Sequence, residues 1–223
     1  MKRAAASSAD LFAGVLRAQG RERAQRGQGL VEFAALVPVF MLLLFGMLEF
    51  GFVFDQNLTL EYATREGARV GSALANDGGA LCVSATTDVD DQILAAVQRV
   101  LLSPGSRVKP ETGMTVLIWK ANASSTPPGL PTTGSINTWT YTGPGTGPLV
   151  DGQRIAFTEG LHPWDPCSRS NGGVGGPDSI GVSLTHTYTF QTPLAGILRF
   201  FGGTSAGTLP MSDKTVMALN PTN

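Results

Sequence analysis

The chain of 223 residues has few of the side chains that enzymes use for chemistry. Its only histidines, His162 and His186, and its two cysteines are too few for a convincing zinc-binding spacing. No P-loop and no D-x-S-x-S string occurs, which argues against an ATPase and against a metal-dependent adhesion domain. Gly203–Gly207 fits G-x-S-x-G, but no histidine follows Ser205 to complete a hydrolase triad. We therefore expect no catalytic residue, no metal and no cofactor.

Charge is absent from the run Phe33–Leu48, and Glu49 alone interrupts the apolar sequence between Phe33 and Asp55. A helix over Leu30–Phe54 is about 37 Å long at 1.5 Å per residue, which exceeds the roughly 30 Å of a hydrocarbon core. The sequence therefore predicts one transmembrane helix.

Charge also predicts the orientation of that helix. Residues 1–27 carry six basic and two acidic residues, and short basic flanks stay in the cytoplasm. We expect a cytoplasmic N-terminus, with residues 56–223 on the other side of the membrane. A secretory signal cut on the far side is the alternative, although its apolar core is normally shorter and ends at small residues. The overall formal charge of −1 indicates no nucleic-acid partner.

The cysteines, Cys82 and Cys167, both lie in the part predicted to be exported. Oxidation is permitted there, so an even pair predicts a disulfide. Two buried thiols are the alternative.

The pattern along the chain predicts three regions: a basic leader at 1–27, a helix over 28–75, and an exported α+β domain at 76–223. In the domain, periodicity and turn residues predict a helix after the Thr87–Asp90 cap, strands at 115–120, 180–190 and 212–219, and a short helix at 193–201. This is an α+β fold in which the long helix packs on a small antiparallel sheet.

A loop-rich insertion is predicted at about 121–178, where proline, glycine, serine and threonine predominate. Four large aromatic residues interrupt it: Trp139, Tyr141, Phe157 and Trp164. That apolar mass predicts a packed insertion with short strands rather than a disordered linker.

Glu32 is expected to pair with a cation, because a carboxylate at the start of a membrane helix is costly in lipid without a partner. If the chain is cut after Gly27, the new amine on Gln28 is a cation that can pair with Glu32 of another subunit. The alternative places Glu32 in the headgroup layer without a role.

The segment Gly27–Phe33 (GQGLVEF) resembles the prepilin-peptidase recognition sequence of type IV pilins. The longer string from Arg26 through Glu49-Phe50-Gly51 to Tyr62–Arg69 is similar to the TadE-like family of pseudopilins of the tight-adherence pilus. The resemblance implies a minor pilin in the bacterial inner membrane, cut by the peptidase after Gly27. It also implies assembly with other major and minor pilins and with the inner-membrane assembly platform. Glu32 is then the assembly glutamate, with Phe33 as the aromatic residue beside it.

Three further features of the helix have open readings. Pro38 removes one helical hydrogen bond and either bends the helix on leaving the bilayer or is simply tolerated. Glu49, near the outer interface, is expected to reach water and is a candidate for partner contact. A stripe of small residues lets a backbone approach closely, and we expect that approach to come from the chain's own sheet more than from a neighbouring subunit; the stripe is Ala63, Gly67, Gly71 and Ala75.

A different class of function also fits the sequence. An uncleaved bitopic anchor could display a periplasmic binding domain whose ligand surface is the aromatic insertion. An intact leader distinguishes this reading from the pseudopilin.

Overall fold

The computed structural model describes residues 8–76, 87–145, 147–172, 175–203 and 207–220. Its helices are α1 (Ser8–Leu74), α2 (Val89–Leu101) and α3 (Leu194–Gly202). Its strands are β1 (Thr115–Asn122), β2 (Leu130–Tyr141), β3 (Leu149–Val150), β4 (Gln153–Arg154), β5 (Phe157–Glu159), β6 (Ser179–Thr189) and β7 (Thr208–Ala218). A 3₁₀ turn, Pro166–Ser168, precedes β6.

Helix α1 is longer than the sequence predicts. It begins at Ser8 instead of at about residue 28, because no proline occurs before Pro38, and it continues through Pro38 without ending there. Its end agrees with the prediction to within a residue. Ala75 turns out of the helix with φ at 51°, and its N–H still bonds the Gly71 carbonyl at 2.9 Å.

The main sheet has five strands in the order β5-β2-β1-β6-β7, and every neighbouring pair is antiparallel. The predicted α+β class is therefore confirmed. The alternation that predicts β6 also holds, since Ile180, Val182 and Leu184 are fully buried on one face. That face packs against α1, and the antiparallel arrangement brings the start of β6 to the C-terminal end of α1.

The predicted cap of α2 is present. The Asp88 side chain accepts the Asp91 N–H at 2.9 Å, and the Asp91 side chain accepts the Asp88 N–H at 3.0 Å. This reciprocal capping box satisfies two amides that the helix itself leaves without partners. Helix α2 then lies against α1 and buries Ile93, Leu94 and Val97.

The stripe of small residues on α1 faces the chain's own core, as expected. A Cβ on Gly67 would lie 2.7 Å from Val97 Cγ2, and one on Gly71 would lie 2.8 Å from both Ile180 Cδ1 and Ile93 Cδ1. Ala63 and Ala75 are completely buried. Helix α1 can therefore approach α2 and β6 closely only because these positions lack larger side chains.

The insertion was predicted to contain only short strands, but it supplies a long strand of the main sheet. Its twelve-residue strand β2 pairs with β1 along most of its length and forms the second strand of the main sheet. The composition of β2 concealed this, because Pro131 and Gly134 interrupt any alternation of apolar residues. Three of the four aromatic residues, Trp139, Phe157 and Trp164, are buried as a packed insertion requires.

Gly67→Val should destabilise the domain by about 1–3 kcal/mol, because the branched side chain must displace the stiff Val97. Ala73→Val is the matched control, since Ala73 is exposed on the same helix and its substitution should change stability by less than about 0.5 kcal/mol. Denaturant unfolding of the detergent-solubilised chain, followed by tryptophan fluorescence, measures both. Equal midpoints for the two variants contradict the close packing of α1.

Candidate functional site

The first half of the apolar segment of α1 stands clear of the domain. Phe33 is 68% exposed, and Leu30, Val31 and Leu36 are similarly exposed. Among the described residues, and apart from the backbone of its own helix turn and its chain neighbours, no atom lies within 4 Å of where a Cβ on Gly27 would be. The helix from Gly27 to Leu74 is long and apolar enough to cross a membrane, which is compatible with a single-pass anchor.

Glu32 lies on this bare segment and is exposed. Its carboxylate accepts a hydrogen bond of 3.0 Å from Nε2 of Gln28, one helical turn earlier. The two residues that the sequence singles out for processing and assembly therefore share one face of α1. No part of the folded domain covers that face in the described residues, so the carboxylate is accessible to a second chain.

The other predicted site residues lie apart from this pair. Glu49 is about 25 Å further along α1, with Pro38 between them. Cys167 lies in the turn Pro166–Ser168, and Cys82 falls outside the described residues, so the disulfide stays a prediction. Ser205 of the G-x-S-x-G string also falls outside them.

The expectation that Glu49 reaches water is wrong. Glu49 is only 2% exposed, because the end of β6 and the residues after it cover its side chain. The carboxylate accepts hydrogen bonds there from the Tyr188 hydroxyl and from the N–H groups of Gln191 (2.8 Å) and Thr192 (3.0 Å). Burial, together with the bond to Glu49, raises the pKa of the Tyr188 phenol. Glu49 thus links α1 to the end of β6 through hydrogen bonds within the chain, and these bonds stabilise the fold. A role in partner contact stays a prediction.

A buried polar cluster in the insertion was missed by sequence reasoning. The Asp90 carboxylate accepts hydrogen bonds from Arg169 Nη2 (2.6 Å) and Asn137 Nδ2 (2.7 Å), and it lies 3.2 Å from His162 Nε2. The Arg169 guanidinium is fully buried and stacks 4.3 Å above the Trp164 ring. The cluster joins the start of α2 to β2 and to the loop after β5.

Charge inside this cluster is mutually compensated. Burial opposes ionisation of Asp90, but the charge of Arg169 and the hydrogen bonds outweigh it and hold the pKa of that carboxyl below its ordinary value. The hydrogen bond to Asp90 raises the pKa of His162 to about 9, although partial burial opposes this. His162 Nδ1 also lies 3.0 Å from Glu159 Oε1. A protonated His162 donates to both carboxylates.

The cluster is arranged for structure rather than for chemistry. Its charged groups lie beside groups of opposite charge, although Arg169 Nε and Nη1 have no hydrogen-bond partner among the described residues. No set of three or more metal-ligating side chains occurs in the part of the chain that the structure describes. Asn137 additionally exchanges two bonds of 2.8 Å with the backbone of Trp164. We infer that the cluster holds the loop-rich insertion against α2. In the sequence, Asp90 is visible only as an acidic residue in the first turn of a helix, so no local pattern could have indicated it.

His186 lies on the same face of β6 as Leu184 and Tyr188. It is buried, with Nε2 at 3.2 Å from Gln56 Oε1 and Nδ1 at 3.4 Å from Glu111 Oε1. Burial lowers its pKa, although Glu111 opposes this.

Glu49→Gln should weaken the attachment of the β6 end to α1, because an amide cannot accept all of the donors that surround the carboxylate. We expect a loss of about 1–3 kcal/mol and faster hydrogen exchange at the Gln191 and Thr192 amides. Glu61→Gln is the control, since Glu61 pairs with Arg65 at the surface and such pairs contribute little. Unchanged exchange at both amides contradicts the proposed attachment.

Stability should depend on pH through His162. A raised histidine pKa stabilises the fold fully below the ordinary value of 6.5 and loses that contribution as the pH rises through about 9. Unfolding free energy should therefore fall by on the order of 1–3 kcal/mol over this range. His162→Gln should abolish this fall. His186→Gln is the control and should retain it, because the pKa of His186 is lowered and its titration lies below this pH range. A wild-type unfolding free energy that does not change over this pH range contradicts the contact between His162 and Asp90.

A model of the TadE-like protein family matches residues 27–69. No curated protein and no solved structure shows a significant match to the chain. The matched residues include the exposed Gly27–Phe33 segment and Glu49, and they stop short of α2 and the sheet. The predicted resemblance is confirmed for this part of α1, which is similar to the TadE-like family, a family of structural components associated with the tight-adherence pilus.

Proposed function

We propose that this chain is a minor pseudopilin of a tight-adherence pilus. A prepilin peptidase removes the leader after Gly27, and the remaining chain acts structurally in assembly or initiation of the fibre. Its partners are other pilins and the inner-membrane assembly platform. The observation that carries the proposal is the exposed Glu32 carboxylate at the head of a bare apolar helix.

Access for the peptidase supports the proposed processing. Gly27 lies at the N-terminal end of the apolar segment, away from the domain, and no other described element comes within 4 Å of where its Cβ would be. A glycine is also the residue that a narrow protease site accepts most easily before the scissile bond. In the uncut chain Gln28 is already one helical turn from Glu32, with the side-chain bond described above.

Cutting changes what Glu32 can bind. The new Gln28 amine is a cation, and the carboxylate of a neighbouring subunit is accessible to it. In the low dielectric of a helix bundle this attraction is larger than at a surface, although desolvation of both charges offsets much of it. The ion pair therefore fixes the axial position of one subunit relative to the next, and it adds little to the net stability of the fibre.

The bare segment supplies the remaining interface. Residues 27–48 form a helix of about 33 Å whose apolar side chains are covered by no other element of the described chain, apart from partial cover near its outer end. Lipid covers that surface before assembly, and helices of neighbouring subunits cover it afterwards. Pro38 lies in this segment and is proposed to let it bend during the transfer. Glu49 keeps the domain attached at the outer end.

Gly27→Leu and Glu32→Ala should separate processing from assembly. The first should retain the leader, because its side chain obstructs the peptidase. The second should be cut normally but should fail to associate with partner pilins and to restore piliation in a deletion strain. Glu32→Asp should be partly active, since it keeps the charge on a shorter side chain. N-terminal sequencing, co-purification from crosslinked membranes and fibre counts measure these effects.

Glu61→Ala is the matched control for Glu32→Ala, because it removes a carboxylate of the same helix outside the bare segment. It should be processed and should assemble like the wild type. Wild-type association and piliation by Glu32→Ala mean that Glu32 is only an interfacial carboxylate. An intact leader on the wild-type protein instead indicates the uncleaved anchor with a displayed binding domain.

A further inference from the structure

Helix α3 lies at the end of the domain from which the bare part of α1 emerges. Strand β6 runs antiparallel to α1: Ile180 lies beside Gly71, His186 bonds Gln56, and Tyr188 bonds Glu49. The connection from β6 to β7 therefore lies at the level of Glu49. Helix α3 is part of this connection.

Glu49 sets the height of α3 relative to the apolar segment. Its carboxylate holds the Gln191 and Thr192 amides within 3.0 Å, and α3 begins two residues later, at Leu194. Leu48, the neighbour of Glu49, is the last residue of the uncharged run. Helix α3 consequently starts at the outer boundary of the segment that is long enough to cross a bilayer.

The composition of α3 suits that boundary. Its sequence, LAGILRFFG, has no acidic residue and one basic residue, Arg199. Ile197 is 40% exposed and Phe200 is 83% exposed. Short helices of this kind, with large apolar side chains at the surface and a cation among them, are typical of the headgroup boundary of a membrane.

A basic loop lies slightly higher on the same end of the domain. Arg107, in the connection from α2 to β1, lies 4.7 Å above the Phe52 ring and 3.5 Å from Asp55. Phe52 and Asp55 are about 5–9 Å above Glu49 along α1. Arg107 and Lys109 are both exposed. These cations are at the height that lipid phosphates occupy when Glu49 lies at the edge of the hydrocarbon.

We propose that α3 lies in the interface of the bilayer that α1 crosses, with Ile197 and Phe200 among the upper acyl chains. Arg107 and Lys109 face the phosphates of the same leaflet. The occupant of this surface is phospholipid, because Glu49 joins α3 directly to the end of the apolar segment. The inference rests on the proposed membrane anchoring of α1. A second contact with lipid restrains the domain against tilting, and it must be released when the subunit leaves the membrane for a fibre.

Phe200→Trp in the full chain, reconstituted in phosphatidylethanolamine and phosphatidylglycerol vesicles, tests the proposal. Lipids brominated near the headgroup end of the acyl chain should quench the added tryptophan, and its emission should be blue-shifted. The three native tryptophans are buried in the domain, at 3–5% exposure, so the wild type supplies a nearly unquenched baseline. Leu161→Trp is the matched control, because Leu161 is 73% exposed and lies beside the cluster at the membrane-distal start of α2. It should show no quenching.

Phe40→Trp, at an exposed position in the middle of the apolar segment, separates the two possible failures when it is tested with lipids brominated near the end of the acyl chain, at the depth of the bilayer centre. Quenching of Phe40→Trp without quenching of Phe200→Trp overturns the placement of α3 and leaves the anchor intact. No quenching of Phe40→Trp overturns the anchor, and the placement of α3 with it. A blue shift of Phe200→Trp without quenching, and dependent on protein concentration, means that another copy covers α3 and also overturns the proposal.

Discussion

The contact of Glu49 with the end of β6 divides α1 into two parts that suit different surroundings. Before it, exposed apolar side chains surround a bare helix. After it, one side of the helix packs on the core through residues such as Leu60 and Ala63, while Phe50, Phe54 and Tyr62 stay exposed on other sides. The helix is continuous through both parts. The Glu49 carboxylate, which accepts hydrogen bonds from three donors, attaches the domain to α1 at the boundary between them. The position of the sheet, of α3 and of the basic loop all follow from that attachment.

A second set of buried charges has the same purpose at the other end of the domain. Asp90 and Arg169 hold the loop-rich insertion to the start of α2, where turns alone supply few apolar contacts. Ionic groups without water are costly unless each has partners. Here Asn137, His162 and the Trp164 ring supply most of these partners, whereas Arg169 Nε and Nη1 have none among the described residues. The insertion is therefore held to α2 by a pair that is largely, but not fully, satisfied.

The contrast between Glu32 and Glu49 gives the proposed function its physical basis. Both are single carboxylates on the same apolar helix, 17 positions apart in the sequence. Glu49 has its hydrogen-bond donors within the folded domain, whereas among the described residues the Glu32 side chain is hydrogen-bonded only to the nearby Gln28. A buried acceptor that is already paired fixes a fold, and an accessible one at the edge of a membrane is available to a second chain.

The sequence by itself determined the features that depend on near neighbours: the apolar part of α1 and its C-terminal end, the cap of α2, the alternation of β6, and the Gly27–Phe33 segment with its family likeness. Only the tertiary structure decided the partners of Glu49, the Asp90–Arg169 pair, the place of β2 in the main sheet and the position of α3 beside the apolar segment. The reason is separation along the chain. Tyr188 and Glu49 are 139 residues apart, and Arg169 and Asp90 are 79 apart, so no local periodicity carries information about which of them meet.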